Sequence, residues 1–218
     1  MKFLKYRLTS ERFCIGERTK GGRYKPSIKT LRYSQICGSL RHSFGINNVH
    51  AVGSLDSFNV EYLSYTLKDR SSDISKIPLR IEFLTNVAGT VYISEGSIPR
   101  NKEPGFDITM GAMISKGFGD CKLLRIGDID TSQEANASGP LNTRIHINAQ
   151  NDEELNHLLE KGTPTKFLSE IFGIKRVLRP TLGYLFDPIY KHTGVYVLSL
   201  FEDSKIEGCK FLLKEGGI

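Results

Sequence analysis

An α+β fold, with an antiparallel sheet and helices on one face, is the class this 218-residue sequence predicts. Three observations carry that expectation. Several segments alternate apolar and polar residues with the period of half-buried strands. They come in the order strand, loop, helix, strand, strand, strand, glycine-rich turn, strand, followed by further helix and strand units. Glycine, proline and asparagine punctuate the joins. A β-α-β-β-α-β unit of the ferredoxin-like (RRM-like) kind suits this order. We expect that unit over residues 1–127 and a smaller C-terminal αβ region over 128–218 packed on it, with the polar, small-residue stretch Gly127–Leu141 as the boundary.

The elements follow in turn. Phe3–Ile15 reads as a strand with Phe3, Tyr6, Leu8, Phe13 and Ile15 as its apolar positions, closed by Gly16. Glu17–Leu31 is too polar to pack and holds Gly21, Gly22 and Pro26, so an exposed loop of unusual length is expected. Ser34–Phe44 has Ile36, Leu40 and Phe44 on one helical face, Ser34 as its cap and Gly45 at its end. A strand is expected over Phe58–Tyr65 and a polar loop over Asp69–Lys76. Ile77–Glu82 and Thr90–Ser94 alternate as two strands around a turn at Asn86–Gly89. Cys121–Ile126 is a strand after the glycine-rich turn. Thr143–Ile147 is another, with His146 facing away from the core. Helices are expected at Asp152–Glu160 and Pro164–Phe172, and strands at Gly194–Phe201 and Gly208–Leu213.

Composition narrows the function. Hydrophobic residues make up 39% and charged residues 25%, as in an ordinary globular protein. No apolar run approaches the roughly 20 residues that span a bilayer, and the first residues lack the apolar core of a secretory signal. A cytoplasmic protein with no membrane partner is the expectation. Cys14, Cys37, Cys121 and Cys209 form no C-x-x-C pair, which argues against a zinc site; no cofactor or metal is expected.

The net charge of +6 is unevenly placed. Residues 1–45 hold eleven basic and two acidic side chains, a net +9; the rest hold nineteen basic and twenty-two acidic, a net −3. A basic segment interleaved with glycine and tyrosine suits a polyanion. Arg18, Lys20, Arg23, Lys25, Lys29 and Arg32 would neutralise phosphates, and Tyr24 would stack on a base.

The segment Gly111…Ser115-Lys116-Gly117-Phe118-Gly119…Lys122 places two glycines around one aromatic just before a strand. Such a turn can present successive N–H groups to an anion. Lys116 and Lys122 add charge, and Phe118 offers a flat face for a base. This segment resembles the G-rich loop of the RAMP superfamily of CRISPR-associated proteins. Ile36-Cys37-Gly38-Ser39-Leu40-Arg41 resembles the segment at the start of that superfamily's first helix, in shortened form. The resemblance covers residues 1–126 and is general beyond them, through Arg179–Phe186 and Ser199–Glu202.

The resemblance implies three roles: cleaving precursor CRISPR RNA, coating the guide as a repeated backbone subunit, or capping its 5′ handle as the Cas-five group does. In the cleaving group the G-rich loop lies near the C-terminus, whereas some 90 residues follow Gly127 here. Backbone subunits of target-cleaving complexes carry an acid in the first loop, and Arg18–Arg32 has none. The capping role fits best: a non-catalytic subunit of a class 1 effector complex, acting in antiviral and anti-plasmid defence. It would bind guide RNA beside other CRISPR-associated subunits and meet the target nucleic acid indirectly. Ser39 and Arg41 would hold the handle backbone while Lys116, Gly117, Phe118 and Gly119 close over a phosphate. Were the chain instead a metal-independent endoribonuclease, His42, beside Arg41, would be its candidate base.

Overall fold

The computed structural model describes residues 1–16, 23–66, 77–190 and 193–214. The sequence folds as β1 (Lys2–Phe13), β2 (Tyr24–Lys25), α1 (Tyr33–Phe44), β3 (Ala51–Tyr65), β4 (Leu79–Ser94), β5 (Gly105–Thr109), β6 (Asp120–Asp130), β7 (Asn136–Pro140) and β8 (Ile145–His146). Then follow α2 (Asp152–Lys161), α3 (Lys166–Phe172), β9 (Arg176–Arg179), β10 (Leu182–Tyr190), β11 (Thr193–Leu200) and β12 (Lys205–Cys209).

The large sheet runs β3-β4-β1-β6-β5, each neighbour antiparallel, with the short β2 parallel to the start of β4. Taking β1, β3, β4 and β6 as first to fourth, their spatial order is fourth, first, third, second. With α1 crossing between the first and second, this is the expected ferredoxin-like arrangement. Its second helix is absent: between β4 and β6 the chain makes two 3₁₀ turns, Arg100–Lys102 and Ile114–Lys116, and the edge strand β5. Pro99, Pro104 and the glycines at 105, 111, 117 and 119 break any longer helix there.

β1 shows why the sheet has a dry face and a wet one. Tyr6, Leu8 and Ser10 are buried, while Arg7, Thr9 and Glu11 are exposed. On the dry side Tyr6 meets Phe106 edge-on and Phe106 meets Phe44 of α1, with centroids 5.4 and 5.2 Å apart. Ile36, Cys37 and Leu40 bury the same helix face that the spacing predicts, and Gly45 closes the helix as expected. The N-cap is Arg32 rather than Ser34, which is buried in the first turn.

The expected turn at Asn86–Gly89 does not separate two strands. β4 runs unbroken through it, and the turn residues appear as an irregularity, with Asn86 at φ 50° and the register against β3 shifting nearby. Strands on both sides, β1 and β3, supply hydrogen-bond partners, which makes continuing the ladder better than turning.

The C-terminal region adds two three-stranded sheets, β10-β11-β8 and β7-β12-β9, and the helices α2 and α3. The end of β6 and all of β7 lie within the stretch expected to be a boundary. One hydrophobic cluster holds residues from both sides of it: Phe3 of β1 packs against Phe172 of α3 and Phe211, with centroids 6.0 and 5.7 Å away. His146 is 2% exposed between the buried Ile145 and Ile147, contrary to its expected outward position. β8 is covered on both faces, so alternation does not sort its residues. No helix among the described residues is long and apolar enough to cross a membrane.

Candidate nucleic-acid interface

The basic segment begins where β1 ends. Arg18 and Lys20 lie outside the described residues. The part from Arg23 onward is less loop-like than its polarity suggests. Tyr24–Lys25 pairs with Arg80–Ile81, Gly16 bridges to Ser27, and the Ile28 N–H donates to the Ile15 carbonyl at 2.9 Å. Ile28 and Leu31 are buried and pin this stretch to the sheet. Arg32 turns inward, its guanidinium donating to the Gly16 carbonyl at 2.7 Å, so it closes the base of the segment rather than projecting from it.

The G-rich segment meets the same base. The Ala112 N–H donates to the Cys14 carbonyl at 2.7 Å, and a Cβ on Gly16 would sit 3.4 Å from that of Ala112. Cys14, Ile81, Phe83 and Phe118 form a small buried cluster, with Ala112 and Met113 packed on it. The cationic segment and the glycine turn therefore converge at their roots.

Within the turn, the geometry corrects two expectations. Phe118 is 5% exposed, its ring edge-on to Phe83 at 5.0 Å, and it offers no open face to a base. The backbone donors are also engaged: Lys116 N–H with the Met113 carbonyl, Gly117 N–H with that of Ile114, and Gly119 N–H with that of Arg12, at 2.8, 3.0 and 2.8 Å. The three N–H groups hold the turn together and do not form an anion nest. Gly119 has φ +88°, and a Cβ there would lie 2.0 Å from the Met110 carbonyl oxygen, so this glycine is required by close backbone approach. Gly117, at φ +77°, faces open space.

A cleft of about 1000 Å³ opens on one side of the turn, lined by Glu11, Arg12, Asp107, Gly117, Asp120 and Lys122 among others. Three carboxylates balance the cations there. The other predicted residues divide similarly. Lys116 is exposed beside Gly117. Ser39 is partly buried on α1, and Arg41 ion-pairs with Asp187 of β10 at 2.7 Å, tying α1 to the C-terminal sheet. His42 is exposed on α1, with no hydrogen bond to a described side chain.

Around Tyr24 the structure assembles residues the sequence did not single out. The Tyr24 hydroxyl donates to Glu82, a carboxylate only 5% exposed, and Lys29 approaches the same group at 3.9 Å. The bond to Glu82 pushes the Tyr24 phenol up to about 12, so it stays a neutral donor. Tyr62 lies beside it, ring centroids 6.4 Å apart, and the Arg80 guanidinium sits 4.1 Å above the Tyr62 ring. Alternation along Ile77–Glu82 sets Glu82 opposite Ile81, on the polar side, yet it is buried beneath Tyr24 of β2 and Lys29.

The thiols offer no nucleophile. All four are free and buried, and burial pushes Cys37 and Cys121 up to about 12. Among the described residues, no group of three His, Cys, Asp or Glu side chains could hold a metal.

No family model matches the sequence, and no curated protein matches it. Solved structures do. A chain in the Type III-B Cmr-beta bound to cognate target RNA and AMPPnP superposes at TM-score 0.56 and 12% identity, covering 93% of this chain and 86% of that one. A chain in the Type III-B Cmr-beta bound to cognate target RNA alone gives TM-score 0.56 at 13% identity, with the same coverage. This chain shares their fold. A further overlap, with a chain of a CRISPR RNA-guided surveillance complex, has TM-score 0.48 at 12% identity and is too loose to carry a fold assignment.

Proposed function

We propose that this chain is an RNA-binding subunit of a CRISPR ribonucleoprotein, and that it holds the 5′ handle of the guide RNA without cutting it. The observation that carries the reading is the junction of the cationic segment with the glycine turn at Cys14, Gly16 and Ala112. The turn that meets the cationic segment there carries Lys116 exposed beside Gly117. The fold supports it too, since chains with the same fold occur in Type III-B Cmr-beta bound to cognate target RNA.

In this reading Arg18, Lys20, Arg23 and Lys25 of the basic segment neutralise phosphates. Lys116 adds a charge at the exposed tip of the turn. The single-stranded handle is read by splayed bases and 2′-hydroxyl contacts. Other effector subunits complete the assembly and bring the target nucleic acid.

Filter binding of handle-bearing guide RNA to the purified protein tests this reading. Changing Lys20, Arg23 and Lys25 together to alanine should weaken binding about tenfold or more near physiological salt and flatten its salt dependence. Wild-type binding that the triple variant leaves untouched would overturn it. The same RNA incubated with the protein in EDTA should remain uncut; a defined product lost in His42→Ala would make the chain a nuclease instead.

A further inference from the structure

We propose that Tyr62 and Tyr24, flanked by Arg80, form a stacking platform for unpaired bases of the bound RNA. The inference rests on the RNA-binding reading above and assigns residues and a ligand chemistry to one part of it.

Three observations point there. The first is exposure. Tyr62 is 50% and Tyr24 46% exposed, and the two rings lie side by side with centroids 6.4 Å apart. Tyr62 lies on the part of β3 paired with Glu82 of β4, beyond the point where β1 stops at the Phe13–Leu84 pair. The second is preorganisation. Tyr24 is held by its hydroxyl on the buried Glu82, and its strand is tied to β4 by the Arg80 N–H donating to the Arg23 carbonyl at 2.7 Å. The rings are thus positioned before any ligand arrives, which lowers the entropic cost of binding.

The third is charge. Arg80 covers the Tyr62 ring, and Arg23, just before β2, is exposed. An apolar peptide on these rings would desolvate guanidinium groups without pairing them. A nucleotide satisfies both features: its base lies on the ring or the guanidinium plane, and its phosphate meets the cations. Bases stacked inside a duplex present no such face, so the occupant is an unpaired segment. This platform takes over the role the sequence assigned to Phe118, whose ring is packed against Phe83.

The probe is single-stranded CRISPR-repeat RNA with 2-aminopurine at successive handle positions, titrated at several salt concentrations. Wild-type protein should change the fluorescence of at least one position. Tyr62→Ala and Tyr24→Ala should each weaken binding about 5- to 100-fold at every salt while leaving the slope of log affinity against log salt unchanged. Tyr62→Phe should bind nearly as wild type, because the ring remains. Both sites are half exposed, so circular dichroism should show all variants folded. If the two alanine variants bind and fluoresce as wild type does, the platform is wrong while the RNA-binding reading stands. No binding by wild-type protein overturns both. Equal Tyr62-dependent binding of single-stranded DNA of the same sequence would overturn the assignment to RNA.

Discussion

Gly119 is where one atom decides a local fold. Its positive φ is strained for any residue with a Cβ, and that Cβ would collide with the Met110 carbonyl, a backbone atom that cannot swing aside. Gly119→Ala should cost more than about 2 kcal/mol, whereas Gly117→Ala, strained but unobstructed, should cost about 1 kcal/mol. Urea unfolding of the two variants checks the order; equal costs would mean that the Met110 contact relaxes freely. His146 makes a second prediction at this scale. Burial, only partly offset by Asp187 and reinforced by Arg41, pushes its imidazole down to about 4. The unfolded chain takes up that proton near pH 6.5, the native protein only near 4. Unfolded molecules therefore hold more protons across this window, and stability falls as the pH drops through it, by up to about 3 kcal/mol. His146→Phe should remove that part of the decline when stabilities at pH 7 and pH 4.5 are compared.

Among elements, α1 is the hinge between what the spacing foretold and what it could not. Its apolar stripe and its closing glycine follow from the 3.6-residue period. Its polar side was read as an RNA contact, yet Arg41 reaches Asp187 across 146 residues of sequence. Arg41→Ala should lower stability by about 1 kcal/mol in the free protein, a loss visible in thermal unfolding without RNA. An unchanged midpoint would return Arg41 to the interface. β4 teaches a related lesson. Asn86 carries a genuine turn signal, but a strand flanked on both sides absorbs it as an irregularity in the ladder.

At the scale of the whole molecule, the two ends of the chain share one interior. Phe3 and Phe172 are both fully buried and face each other at 6.0 Å. Phe172→Ala should cost about 3–5 kcal/mol. The loss should appear at one lowered urea midpoint whether unfolding is followed by circular dichroism or by tyrosine fluorescence. Two separated transitions would show that the C-terminal region melts alone.

The amino-acid sequence by itself determined the α+β class, the first strand, the buried face of α1 and the concentration of positive charge in the first 45 residues, because periodicity and charge are local properties. It also marked the glycine turn, although the reason Gly119 is glycine proved to be a backbone contact. Only the tertiary structure decided which marked groups remain available: Phe118 and Arg32 turn inward, Arg41 finds Asp187, and Tyr62 comes to stand beside Tyr24. Those outcomes depend on pairings between residues far apart in the chain, and no local pattern encodes the partner that a side chain will meet when the sheet closes.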